Sequence, residues 1–227
     1  MSDNKVQMTF IQKLENFWYH YKWHALFGAF ALILAIVCFV QCMGRTEPDA
    51  MVMYVGEIKN MLIPAEDNRD QSLEDDVMAE DYNGDGEKRV EVFQLIIPLV
   101  QIGGEYDYDD AVAQTNNSER QRMYTEVATG ASVVYILHPY IYEEVKNMEV
   151  LRPLTDVLDD VPEYAVDEYG VPISELIAYR MTNLRYYPED SIICIRRERT
   201  KDSGSMNPDD ADYYANNVEF FRDVIEY

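Results

Sequence analysis

The chain has 227 residues, with 42 acidic side chains against 19 basic ones and a net charge of −23. That balance repels polyanions, so nucleic acid is excluded as a partner. Three cysteines and three histidines leave no disulfide framework and no multi-histidine zinc centre.

Ala25 to Met43 reads ALFGAFALILAIVCFVQCM, a stretch with no charged side chain. At about 1.5 Å per residue, a helix of this length crosses the roughly 30 Å hydrocarbon core of a bilayer. FWYHYKWH, Phe17 to His24, precedes it as an aromatic belt. A cleaved signal peptide has a shorter apolar run, about 7–15 residues, ending in a small-x-small site. Phe39, Val40 and Gln41 supply no such site, and Gln41 before Cys42 does not suit a lipid-modified cysteine. The expectation is an uncleaved signal anchor. Lys5, Lys13 and Lys22 precede the helix, whereas Arg45 stands alone before Glu47 and Asp49. The positive-inside rule then places the N-terminus in the cytoplasm and the rest outside the cell membrane. The expected division is residues 1–24 as a cytoplasmic segment, 25–43 as the membrane helix, 44–49 as a linker and 50–227 as an extracellular domain. Residues 46–227 hold 40 of the 42 acidic and 15 of the 19 basic residues, a net charge of −25. The acidic pairs Asp75-Asp76, Asp109-Asp110, Asp159-Asp160 and Asp209-Asp210 read as solvated loops and helix starts.

The outer part opens with a strand at Met51–Val55 (MVMYV), then a short helix capped by Ser72 with Leu73, Val77 and Met78 on one face. Val90–Ile97 (VEVFQLII) is a second strand, apolar enough for a sheet interior. Residues 98–117 read as a long polar connection. Ser118-Glu-Arg-Gln121 has the form of a capping box, Met123, Val127 and Ala128 form the buried stripe, and Gly130 supplies the stop. Asn116-Asn117-Ser118 also matches a glycosylation sequon, but capping accounts for the serine. Ser132–Leu137 (SVVYIL) is a strand buried on both faces, and Pro139 suits the first turn of a helix through Val145. Strand and helix thus alternate three times, which predicts an α/β layer of parallel strands joined by crossovers. Prolines at 153, 162, 172 and 188 break up residues 151–190, where helix and strand remain alternatives. Ser191–Arg196 returns as a strand containing Cys194, expected as a buried thiol. A last helix starts at Asp209 or Asp210, with Ala211, Tyr214, Ala215, Val218, Phe221 and Ile225 as its stripe.

Ser118 to Leu158, SERQRMYTEVATGASVVYILHPYIYEEVKNMEVLRPLTDVL, resembles the extracellular solute-binding proteins of bacterial ABC importers. In that family a helix ends in a small-Gly-small turn before a buried strand. A short helix and a segment like Leu151-Arg-Pro153-Leu154 follow. The resemblance implies a single three-layer, mostly parallel sheet lobe, like one lobe of the periplasmic-binding-protein fold, on a membrane anchor. It implies an envelope or ABC transporter partner. One lobe has no interlobe cleft, so no ligand residues are carried over.

Two stretches carry candidate chemistry. In EDYNGDGEKRVEV, Asp81, Asn83, Asp85, Gly86 and Glu87 match the first half of a calcium loop, while Val92 occupies the position of the closing carboxylate. The competing reading is a turn that links helix to strand through the left-handed conformations of Gly and Asn. His138 ends a predicted strand, where α/β proteins often place function, but such a histidine is more often just a polar strand terminus. No nucleophile elbow, phosphate loop or dinucleotide fingerprint occurs. The expectation is therefore a non-enzymatic domain with no cofactor other than this calcium candidate. The alternative is a binding module for a cation, sugar or peptide on the acidic, Tyr-rich surface, with an envelope enzyme as a third reading. Paired tyrosines are expected to place one ring in the core and one in water, except Tyr106 and Tyr108 in the acidic connection.

Overall fold

The computed structural model describes residues 10–43, 48–57, 80–102, 105–198 and 208–227. Residues 1–47 and 48–227 are separate compact units. In the first, helix α1 (Phe10–Met43) begins well before the apolar stretch. Its span Tyr21–Phe39 has a mean hydropathy of 1.9, and none of that span is buried by other parts of the chain. By length and composition α1 can cross a bilayer.

The second unit is a mixed α/β domain. Its sheet has strands β1 (Ala50–Gly56), β2 (Val90–Ile96), β5 (Val134–Leu137), β6 (Gly170–Pro172) and β7 (Ile192–Ile195), in the order β2-β1-β5-β7-β6. A hairpin, β3 (Leu99–Ile102) with β4 (Glu105–Tyr108), stands apart from it. The helices are α2 (Ala113–Thr129), α3 (Pro139–Lys146), α4 (Ile177–Met181) and α5 (Pro208–Glu226). The helix expected after Ser72 lies outside the described residues.

β1 runs parallel to both neighbours, with Val52 beside Val92 on one side and Val134 on the other. Its apolar run has no polar alternation because both of its faces are covered. Val52 and Tyr54 join the core with Phe220, Phe221 and Val224 of α5. Met53 and Val55 join the opposite core with Met123 of α2 and Ile141 of α3. The domain is thus three layers, helix–sheet–helix.

Four strands point the same way, and β7 opposes them. The reversal follows from chain path. β6 ends at the carboxyl edge of the sheet, where Ile173 N–H donates to Ser191 O at 3.0 Å. The chain is therefore still at that edge when β7 begins, and β7 must run back.

The connection 98–117 is not irregular. It forms the hairpin, with Leu99 opposite Tyr108 and Gln101 opposite Tyr106, then the first turn of α2. Ser118 is accordingly inside α2, and its hydroxyl donates to Thr115 O at 2.8 Å instead of capping. Asn116 is buried and donates to Pro98 O and Asp109 O, so it is no glycosylation acceptor in the folded domain. Met123 and Val127 face the core as expected, but Ala128 is exposed. In α5 the buried stripe is Tyr214, Asn217, Phe220, Phe221, Val224 and Ile225, while Ala211 and Ala215 are exposed.

Gly130 ends α2 at φ +70°, and its N–H donates to Glu126 O at 2.8 Å. A Cβ there would sit 1.8 Å from Arg196 Nη1, so the guanidinium packs on bare backbone. Gly130→Ala therefore combines a left-handed backbone with a steric collision, and should cost about 2 kcal/mol or more. Denaturant unfolding of the full chain in detergent measures it; adding Arg196→Ala should recover only the steric part.

Candidate functional site

The chain leaves β1 toward β2 on one side, and leaves β5 toward β7 and β6 on the other. The β1/β5 seam is thus a topological switch point, the place where α/β sheets gather ligands outside their carboxyl ends. The polar side chains that collect there come from four segments. His138 follows β5, Glu57 follows β1, Asp190 and Ser191 precede β7, and Tyr106 reaches in from the hairpin.

His138 is buried, at 3% exposure. Its N–H donates to Val55 O at 2.9 Å, which holds it to the seam. Its Nδ1 caps α3 by accepting the Tyr140 N–H at 3.2 Å. The neutral ring therefore carries its hydrogen on Nε2, which lies 3.8 Å from Asp190 Oδ2. Tyr106 stands edge-on to the imidazole, with ring centroids 4.7 Å apart. Burial pushes the His138 pKa below its usual 6.5, and the negative charges of Asp190 and Glu57 only partly oppose this. With Nδ1 engaged by a backbone amide, His138 has no free basic nitrogen at this edge, which argues for positioning over proton abstraction.

Tyr54 lies under the same edge. Its hydroxyl donates to Glu57 O at 2.5 Å, and its ring packs on Tyr187 at 4.8 Å. Gly56 permits this fold-back, because a Cβ there would be 2.8 Å from the Tyr54 hydroxyl. Glu57 Oε1 accepts the Leu99 N–H at 2.9 Å and so fixes the base of the hairpin. Ser191 is fully buried, and its Oγ has no hydrogen-bond partner among the described residues.

The hairpin is held over this edge by a second cluster. Tyr108 and Tyr124 both donate to Glu144, and Arg120 donates to Glu144 Oε1 at 3.0 Å. The Arg120 guanidinium lies 4.2 Å from the Tyr108 ring centre, and Tyr108 packs edge-on against Tyr140. Burial would raise the Glu144 pKa, but the hydroxyls of Tyr108 and Tyr124 and the Arg120 charge hold it below the usual carboxylate value. Tyr108 is thus packed into the domain, and Tyr106 remains the exposed ring of the pair. In 186–187 and 213–214 one ring is buried and its neighbour is more exposed, as the sequence suggests.

The acidic loop 81–87 lies at the opposite, amino edge of the sheet. Asp81 Oδ2 accepts Gly86 N–H, Asn83 Oδ1 accepts Asp85 N–H, and Asp85 Oδ1 accepts Glu87 N–H, at 2.8–2.9 Å. Gly84 and Gly86 adopt φ of +75° and +87°. The candidate ligand oxygens thus serve the loop's own amides. Glu91, the carboxylate nearest the closing position, pairs with Arg89. Among the described residues no group of three His, Cys, Asp or Glu side chains is arranged to hold a metal ion. The loop is tied to the sheet by Asp49, read from sequence as the end of the linker but fully buried here. Its carboxylate accepts Asn83 N–H at 3.0 Å and Arg89 N–H at 2.8 Å.

Two further features complete the polar map. A pocket of about 220 Å³ is lined by Lys146, Glu149, Leu151, Tyr169 and Arg197. Beside it Asp167 accepts Tyr142 and Lys146 at 2.5 Å each. Cys194 is buried, and burial pushes its thiol pKa up, so it behaves as an inert core residue.

No family model matches the chain, and neither a characterised protein nor a solved structure matches it significantly. The functional reading therefore rests on this geometry. His138 and Tyr106 are legible in the sequence, whereas Glu57, Asp190 and Ser191 are not. Their only signal is position at strand ends, which gains meaning once β7 is known to run backwards.

The depressed His138 pKa has a definite pH signature. The unfolded chain gains a proton below about pH 6.5 that the folded state resists, so this residue contributes no loss above that value and a growing loss beneath it. His138→Asn keeps an oxygen to cap α3 and removes the imidazole. Unfolding free energies from pH 7.5 to 5 should fall more steeply for the unmodified chain than for this variant; parallel slopes would show that His138 is not buried neutral.

Proposed function

We propose that this chain is a single-pass membrane protein with its N-terminus in the cytoplasm and its acidic α/β domain outside the cell. It presents one solute-binding-protein-like lobe and acts without catalysis, through an envelope or transporter partner. The observation that carries the reading is a helix long and apolar enough to cross a bilayer, joined within a few residues to a domain of net charge −25. A charge of that size opposes attachment to an anionic surface and favours projection into solvent. The helix–sheet–helix layering and the polar cluster at the carboxyl edge support the likeness to one binding lobe.

A second reading has its own observation. The cluster of Glu57, His138, Asp190, Ser191 and Tyr106 suits a ligand-binding module better than a scaffold that presents only its surface. Protease treatment of intact cells and alkaline carbonate washing of membranes test the anchor together. The full chain should resist extraction, and protease should remove the acidic domain; extraction, or complete protection, would overturn this topology.

Loop 81–87 we read first as a turn, with calcium at Asp81, Asn83, Asp85 and Glu87 as the competing proposal. Calorimetry with calcium up to millimolar concentration, the range of weak extracellular sites, should give no saturable heat. Saturable heat that disappears in Asp85→Asn would assign the loop as a metal site instead.

A further inference from the structure

The loop before β2 carries the only Asn-Gly step in the chain, Asn83-Gly84, and the only Asp-Gly step, Asp85-Gly86. In such a step the backbone nitrogen of the glycine can attack the side-chain carbonyl carbon of the residue before it, closing a five-membered ring. Glycine has no Cβ to obstruct that approach and leaves the backbone free to turn into it. The attacking nitrogen must also be free, because an N–H held by an acceptor stays where the fold puts it.

The two steps differ on this point. Gly86 N–H donates to Asp81 Oδ2 at 2.9 Å, which withdraws it from Asp85. Gly84 N–H has no hydrogen-bond partner among the described residues. Asn83 and Gly84 are both exposed, and nothing lies within 4 Å of where a Cβ on Gly84 would stand, so this peptide has room to turn. The carbon to be attacked is prepared as well. Asn83 Oδ1 accepts the Asp85 N–H at 2.9 Å, which draws electron density away from the side-chain carbonyl. At the other described asparagines the following amide is engaged. After Asn147, Met148 N–H donates to Val145 O, and after Asn183, Leu184 N–H donates to Thr182 Oγ1. The amides after Asn116, Asn117, Asn216 and Asn217 lie within α2 or α5, in the helical hydrogen-bond ladder.

We propose that Asn83 is a site of spontaneous deamidation, and that its modification unfastens this loop from the sheet as the protein ages. Gly84 N attacks Asn83 Cγ and a C–N bond forms. The Cγ–Nδ2 bond breaks, and the proton from Gly84 N leaves with Nδ2 as ammonia. Water then opens the cyclic imide at either carbonyl, which gives aspartate or isoaspartate at position 83. Both products disturb the loop. The side-chain nitrogen that lies 3.4 Å from Asp85 Oδ2 becomes an oxygen, so two carboxylates face each other there. In isoaspartate the main chain also gains a methylene between positions 83 and 84. That displaces the loop against Asn83 N–H and Arg89 N–H, the two donors that buried Asp49 holds at 3.0 and 2.8 Å. The entry to β2 is thereby loosened from the start of β1. The inference is independent of the anchor and of any ligand at the carboxyl edge.

The test incubates the full chain in detergent at neutral to mildly alkaline pH and follows the tryptic peptide Asp70–Lys88, in which Asn83 is the only asparagine. That peptide should gain the mass of an amide-to-acid exchange and resolve into an aspartate and an isoaspartate form. It should do so at least tenfold faster than any other described asparagine, with a rate that rises with hydroxide. Asn83→Gln, whose side chain would have to close a six-membered ring, should abolish the change. Aspartate without isoaspartate would mean direct hydrolysis that bypasses Gly84, and would overturn the assignment. So would an unchanged peptide from the folded chain when a synthetic peptide of the same sequence deamidates, because the fold would then protect Asn83. Hydrogen exchange reads the consequence separately. The Arg89 amide should exchange at least tenfold faster in the aged protein and in Asn83→Asp than in fresh protein. Equal exchange would show that Asp49 keeps its hold on the loop, and the proposed unfastening fails.

Discussion

Every other part of the domain depends on β1 being paired on both edges and covered on both faces. Its backbone hydrogen bonds are shared between β2 and β5, so neither half of the sheet closes without it. Its apolar side chains alternate between two cores, one built with α5 and the other with α2 and α3. The ends are fixed by polar groups from elsewhere in the chain. At the start, buried Asp49 clasps the loop before β2, and the Met51 N–H donates to Asn217 of α5 at 3.0 Å. At the finish, Tyr54 bonds the carbonyl of Glu57 and His138 bonds that of Val55. A central strand pinned at both ends turns the seam with β5 into a rigid platform, and preorganised polar groups need such a support.

The carboxyl edge and the amino edge serve different ends of that platform. At the amino edge the carboxylates are consumed by backbone amides: Asp49, Asp81 and Asp85 each hold the chain to itself. At the carboxyl edge Glu57 accepts the Leu99 N–H, and Asp190 faces His138. Carboxylates thus hold the chain to itself at both edges.

The parts of the fold legible in the sequence are those set by local pattern. MVMYV has no polar alternation and is the central strand, Gly130 ends α2 in the left-handed conformation, and Pro139 opens α3. What escapes sequence reading is set by distant partners. The EYDY segment resembles an acidic loop, but its aromatic rings find Glu144, Arg120 and Tyr140 on helices further along the chain. Ser118 has the spacing of a cap, yet the helix already runs through it because Asn116, upstream, is buried against Pro98 and Asp109. In α5 the alanines suit either face, and Asn217 is drawn inward only because Met51 offers it an N–H. Asp190 reaches His138 through the reversal of β7, which no local signal announces.

The long-range bond between Met51 and Asn217 also carries a consequence in time. The two residues are 166 positions apart. At roughly 5–20 residues per second, synthesis takes on the order of ten to thirty seconds to deliver the second after the first. Through that interval β1, an apolar strand that follows a helix long and apolar enough to cross a bilayer, has an unfinished cover on one face. The nascent domain is therefore exposed to aggregation through that strand until its last helix arrives.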